Sequence, residues 1–167
     1  MIDTPRLHLR HVADGDAPFI LELLNEPAFL RNIGDRGVRT LDDARRYITE
    51  RMLASYQRHG FGMYAVEPRG GGAPLGLCGL VKRDSLTDVD LGYALLQRHW
   101  GHGYALEAAQ AVLGHAEHDL GLARIVAITA PDNEPSMALL RKIGLRFEKI
   151  VDLPEGESAF FSIDFPG

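Results

Sequence analysis

The chain is poor in the features that mark several large classes of protein. It has one cysteine, Cys78, so it forms no internal disulfide, and its cysteine usage gives no sign of an oxidising compartment. No apolar run approaches the ~20 residues of a membrane helix. The opening Met1-Ile2-Asp3-Thr4-Pro5-Arg6 lacks the basic flank and apolar stretch of a signal peptide. A cytoplasmic protein with no membrane partner is the expectation. Positive charge is also in deficit. The 18 Lys and Arg stand against 23 Asp and Glu, for a net charge of −5, so no overall basic field exists to hold nucleic acid. There is no repeat, low-complexity tract or linker. What remains is ordinary globular composition, 46% hydrophobic and 25% charged, over 167 residues, which predicts one domain spanning 1–167.

The seven histidines do not fall at metal-ligand spacing. His115 and His118 are three apart, where His-Glu-x-x-His needs four, and His99 and His102 have no cysteine or carboxylate set beside them. No metal is expected. Cys78 sits inside the apolar run Leu75–Val81 and reads as a small buried residue rather than a nucleophile.

Hydrophobic periodicity orders the chain. Leu7–Arg10 alternates as a first strand. A helix follows, with Asp14 or Asp16 as its cap and Phe19, Ile20, Leu23 and Leu24 on one face, and Asn25-Glu26-Pro27 ends it. Residues 31–40 read as loop. Thr40 precedes a second helix with Leu41, Ala44, Tyr47, Ile48 and Met52 on one face, stopped near Gly60. Phe61–Val66, Leu75–Val81 and Asp88–Leu95 are strands. A long helix runs from Gly103, with Leu106, Ala109, Leu113, Ala116 and Leu120 aligned. Arg124–Thr129 is a buried strand, 133–143 a helix stopped by Gly144, and Leu145–Val151 with Ala159–Ile163 a closing hairpin. The order β-α-α-β-β-β-α-β-α-β-β implies a mixed α/β sheet with helices on its faces.

Chemistry concentrates where the third of these strands meets the long helix, at Arg98-His99-Trp100-Gly101-His102-Gly103-Tyr104-Ala105. The first turn of a helix has N–H groups without internal partners, and its dipole favours anions. Gly101 and Gly103 let a diphosphate approach the backbone closely. The loop lacks the Gly-Lys-Ser/Thr ending of a nucleotide-hydrolase P-loop, and Leu106 stands where a dinucleotide fingerprint needs its third glycine.

The run Arg98-x-x-Gly101-x-Gly103 resembles the Arg/Gln-x-x-Gly-x-Gly/Ala signature of the GNAT superfamily of N-acetyltransferases. Trp100–Ala108, the block Asn133–Leu145 and the opening Thr4–Arg10 are together similar to the branch of bacterial ribosomal-protein N-terminal acetyltransferases. The resemblance covers nearly the whole chain. It implies a GNAT-like, mostly antiparallel sheet with helices on both faces, and acetyl-CoA as acyl donor. It also implies that the amides of Arg98, Trp100, Gly101, His102, Gly103, Tyr104 and Ala105 bind the diphosphate. The pantetheine arm then enters a splay beside the preceding strand, against the backbone of Leu95 and Leu96. Asn133 bonds the arm or caps its own helix, and the cations of Arg141 and Lys142 approach the phosphates or simply suit a helix C-terminus.

Acetyl transfer to an amine moves two protons, one off the amine and one onto the thiolate. The tyrosine that many relatives carry seven residues after the asparagine is replaced here by Leu140. In the branch resembled, the serine of Asn-x-x-Ser has the acid role, which maps to Ser136. Asp90 is the candidate base, with Asp88 on its face and an exposed strand carboxylate as the plainer account. Glu107, early in the helix, reads as structural.

With no nucleophile in either motif, direct attack in a ternary complex is expected, on a primary amine of a peptide N-terminus or a small molecule. A non-catalytic acyl-CoA sensor and a transferase of longer acyl groups are the rival readings. The acceptor falls to residues 25–40, the helix at 41–59 and a loop at 152–158, where Asp152, Glu155 and Glu157 are able to attract a cation. Relatives are often dimers, so a homodimer is one expected assembly.

Overall fold

The computed structural model describes residues 1–154 and 156–166; of the acidic residues named above, Glu155 lies outside them. Eight strands form one sheet in the order β1-β2-β3-β4-β5-β6-β8-β7. They are β1 (Ile2–Asp3), β2 (Leu7–His11), β3 (Met63–Pro68), β4 (Gly76–Val81), β5 (Asp90–Leu95), β6 (Arg124–Thr129), β7 (Arg146–Leu153) and β8 (Gly156–Asp164). Every neighbouring pair is antiparallel except β5 and β6.

The helices are α1 (Ala17–Leu24), α2 (Pro27–Asn32), α3 (Leu41–Tyr47), α4 (Ala54–His59), α5 (Tyr104–His118) and α6 (Glu134–Lys142). A π-helical stretch, Ile48–Leu53, joins α3 to α4. Thr40 caps α3 by accepting the Asp43 amide at 3.0 Å, and Gly60 ends α4 in the left-handed region at φ 75°. Asp16 sits at the N-cap of α1 without capping it through its side chain. Its carboxylate instead takes the Ala13 amide and the Arg10 guanidinium.

Strand alternation sorts the core into two layers. Tyr64, Val66, Cys78, Leu80, Leu91, Ile125 and Phe161 face one side with the α5 stripe Ala108, Ala109, Val112 and Ala116, and with Met137 and Leu140 of α6. Ala65, Leu77 and Leu96 face the other, against α1 and the α3–α4 rod. Helices therefore cover both faces, as expected. The small residues of α5 let it lie close to the sheet. Cys78 is fully buried, and burial pushes its thiol up.

Several expectations need correction. Pro27 does not merely follow a helix but opens α2, which takes two residues from the supposed loop at 31–40. β1 is an added strand. The third main strand starts at Asp90, not Asp88. The supposed acidic loop at 152–158 is mostly strand, with Asp152 directly opposite Glu157.

Candidate active site

The parallel pair β5–β6 shares one register position, Asp90 with Val126, with the Val126 amide on the Val89 carbonyl at 2.9 Å. Beyond it the strands part, β5 staying with β4 and β6 with β8. Backbone groups alternate sides along a strand. Because the Leu96 amide points to β4, onto the Leu75 carbonyl at 2.9 Å, those of Leu95 and Tyr93 point into the gap. The expectation for Leu96 is thereby corrected: its amide is spent on Leu75 and its carbonyl on the His99 amide. Leu95 keeps a gap-facing amide, while its carbonyl accepts the Trp100 indole N–H at 2.9 Å. Trp100, 46% exposed, thus stands at the mouth of the gap, but its own amide is spent on the Gln97 carbonyl at 3.1 Å, which corrects the expectation that this amide binds the diphosphate.

The mouth is built by the loop. Gly101 and Gly103 adopt φ of 81° and 79°, which strongly favours glycine, and Gly103 is the N-cap of α5. The first helix amide with a backbone partner is that of Glu107, on the Gly103 carbonyl at 3.1 Å. Among the described residues, the amides of Gly101, His102, Gly103, Tyr104 and Ala105 have no such partner. That is a continuous run of donors at the positive end of a fifteen-residue helix. The Arg98 side chain turns away, bound to Glu22 of α1 at 2.5 Å.

Glu107 anchors this arrangement. Its carboxylate accepts from the Thr4 hydroxyl at 2.5 Å, the Arg6 amide at 3.0 Å and Arg6 Nε at 2.6 Å. Burial opposes its ionisation most strongly, yet these donors outweigh burial and hold its carboxyl below the ordinary range.

Across the gap, the Tyr93 hydroxyl on β5 lies 2.6 Å from Ser136 Oγ on α6. Burial pushes Tyr93 up to about 12, against the opposing effect of its bond to Ser136, so its phenol stays protonated at neutral pH. Tyr93 was not picked out by motif. Its signal was parity: it shares the core face of its strand with Leu91, where a hydroxyl needs a partner. Asn133 Oδ1 accepts the Ser136 amide at 3.3 Å, capping α6 and fixing the turn that carries Ser136.

Other candidates lie elsewhere. Asp90 is not on an open strand face. It is 1% exposed and bound to Arg83 Nε at 2.6 Å, at the closed end of the gap. Asp88 pairs with Arg124 at 3.1 Å. The Arg141 guanidinium lies over Phe161, 5.8 Å from the ring centre, and neither it nor Lys142 contacts the loop among the described residues. His115 pairs with Asp119, and no group of three or more His, Cys, Asp or Glu side chains among the described residues is placed to hold a metal ion.

A family model described as an acetyltransferase (GNAT) domain matches residues 6–146. The uncharacterised N-acetyltransferase YoaA of Bacillus subtilis is 28% identical over 152 residues, covering 90% of this chain and 85% of its own. An acetyltransferase structure from Agrobacterium tumefaciens is 25% identical with a TM-score of 0.84, over 98% of this chain and 94% of that one. RimL, a ribosomal L7/L12 alpha-N-protein acetyltransferase solved with coenzyme A, shares the fold with a TM-score of 0.83 at 18% identity, over 96% of this chain and 95% of its own.

Proposed function

The chain belongs to the GNAT acetyltransferase family, and on that premise we propose that it moves an acetyl group from acetyl-CoA to a primary amine, with both substrates bound together. The observation that carries the reading is the run of amides from Gly101 to Ala105, without backbone partners among the described residues, at the mouth of the β5–β6 gap. These amides suit a diphosphate, and the gap-facing backbone of Tyr93 and Leu95 suits the amides of an extended arm. The donor supplies a thioester carbonyl and a thiol leaving group.

In the transfer the amine nitrogen bonds the acetyl carbon and the carbon–sulfur bond breaks. The amine gives up one proton and the thiolate gains one. Ser136 Oγ is the proposed donor to sulfur. Tyr93, protonated and 2.6 Å away, holds the proton that replaces it. Asn133 positions Ser136 through its cap. A gap-side amide of β5 stabilises the developing oxyanion.

The buried pair Asp90–Arg83 makes Asp90 a poor base for an incoming ammonium, so we propose that water carries the amine's proton. That favours an α-amine as acceptor. At pH 7 an α-amine near ~8 is neutral in about one molecule in ten, a lysine near ~10.4 in about one in 2,500.

The test is thermal unfolding with acetyl-CoA, NAD and ATP, followed by thiol release with a peptide bearing a free α-amine and with its Nα-blocked, lysine-containing counterpart. Selective stabilisation by acetyl-CoA, then turnover of the free α-amine, supports the reading. A ligand at a hundred times its Kd adds ~2.7 kcal/mol. No shift at millimolar acetyl-CoA sinks it. Stabilisation without turnover of any amine leaves an acyl-CoA sensor, and faster use of a longer acyl donor a different acyltransferase.

A further inference from the structure

We propose that Arg6, in the segment before β2, is a positioning residue that shapes the anion loop for the donor's diphosphate; this rests on the acetyl-CoA reading above. Three contacts place its guanidinium. Nε pairs with Glu107 at 2.6 Å, Nη1 donates to the His102 carbonyl at 2.8 Å, and the group lies over the Tyr104 ring, 4.7 Å from its centre. The bond to His102 matters for the loop. A carbonyl between two left-handed glycines, free to turn, is able to point its negative end into a site that needs donors. Arg6 holds it outward, and because the C=O and N–H of one trans peptide point oppositely, the Gly103 amide is thereby aimed into the site.

Nη2 is the remaining arm of the fork, and no partner is assigned to it among the described residues. It lies 3.3 Å from where a Cβ on Gly103 would stand. The guanidinium therefore backs the peptide between His102 and Gly103 on the face away from the ligand, with its edge packed where glycine leaves room.

The experiment compares two donors on Arg6→Gln, Arg6→Lys and the parent chain: acetyl-CoA, and acetyl-pantetheine, which has the thioester but no diphosphate. The expected result for Arg6→Gln is a fall of ten-fold or more in the ratio of kcat/KM for acetyl-CoA to that for acetyl-pantetheine, carried by KM. Arg6→Lys recovers only part of the ratio, because an ammonium does not span both His102 and Glu107. An equal loss with both donors overturns the inference in favour of a purely structural clamp, as does an unchanged ratio. If Arg6→Gln unfolds, Arg6→Lys decides: an unchanged ratio, or an equal loss with both donors, overturns the inference. A parent chain that does not discriminate the two donors overturns the acetyl-CoA reading itself, and Arg6 with it.

Discussion

Replacing Gly101 with alanine isolates the backbone conformation of the loop from every other property of the site. A Cβ there meets no atom within 4 Å, so no collision contributes. What changes is φ, fixed at 81°, where an L-residue other than glycine is strained by ~1–2 kcal/mol. The loop is on the surface, so it has two responses. Either it keeps its shape and the protein loses that much stability, or it relaxes and the cost appears when the donor restores the shape. In the second case affinity falls by about 5- to 30-fold. Calorimetric titration with CoA and thermal unfolding of the same variant measure both terms, and together they should account for the strain. Gly103→Ala carries similar strain plus a 3.3 Å contact with Arg6, so its combined loss should be larger. A Gly101→Ala protein with parental stability and parental CoA affinity would refute the claim that this left-handed geometry makes the anion site.

Other outcomes follow from the same structure. Ser136→Ala should lower kcat by about 10²-fold or more, the usual worth of a general acid, with KM for acetyl-CoA nearly constant. Tyr93→Phe should act in the same direction, and the double variant should lose less than the product of the two, as read by steady-state kinetics. Gly79→Ala places a Cβ 2.1 Å from the Gly62 carbonyl oxygen, so chemical denaturation should show a loss of about 1–3 kcal/mol or more. Asp16 is held below the ordinary carboxylate range: burial opposes this most, but Arg10 and the Ala13 amide outweigh it. Its contribution to stability is therefore full above the unfolded-state value and is lost as pH falls through the lower folded value. Asp16→Asn should flatten stability against pH in that acid window.

The fold is legible where apolar residues recur without breakers. β6 came out of Ile125, Val126 and Ile128 with its ends correct, because a short apolar run without breakers is a buried strand. β1 was invisible, since two residues carry no period. α2 was hidden because Pro27 serves equally as a helix stop and as a first helical residue. The π stretch left no mark, because the Ala44, Ile48, Met52 spacing of four suits the ordinary helix as well. At the site, the glycines announced the loop. The Tyr93–Ser136 pair joins residues 43 apart in sequence, and only the closing of β5 against α6 brings them together. Asp90 was misplaced for a related reason: alternation identified its side of the strand, but not that the side is covered and occupied by Arg83.

The parting of β5 and β6 has a consequence for the life of the protein between turnovers. Where two strands diverge inside a sheet, each presents an inner edge, with hydrogen-bonding groups that an extended chain is able to satisfy. A pantetheine arm is, in backbone terms, a short guest strand. On the acetyl-CoA reading, the protein without its donor leaves those inner-edge groups to water, and the bound arm completes the sheet. Binding of acetyl-CoA should then slow amide exchange along both inner edges, as read by hydrogen exchange with and without it.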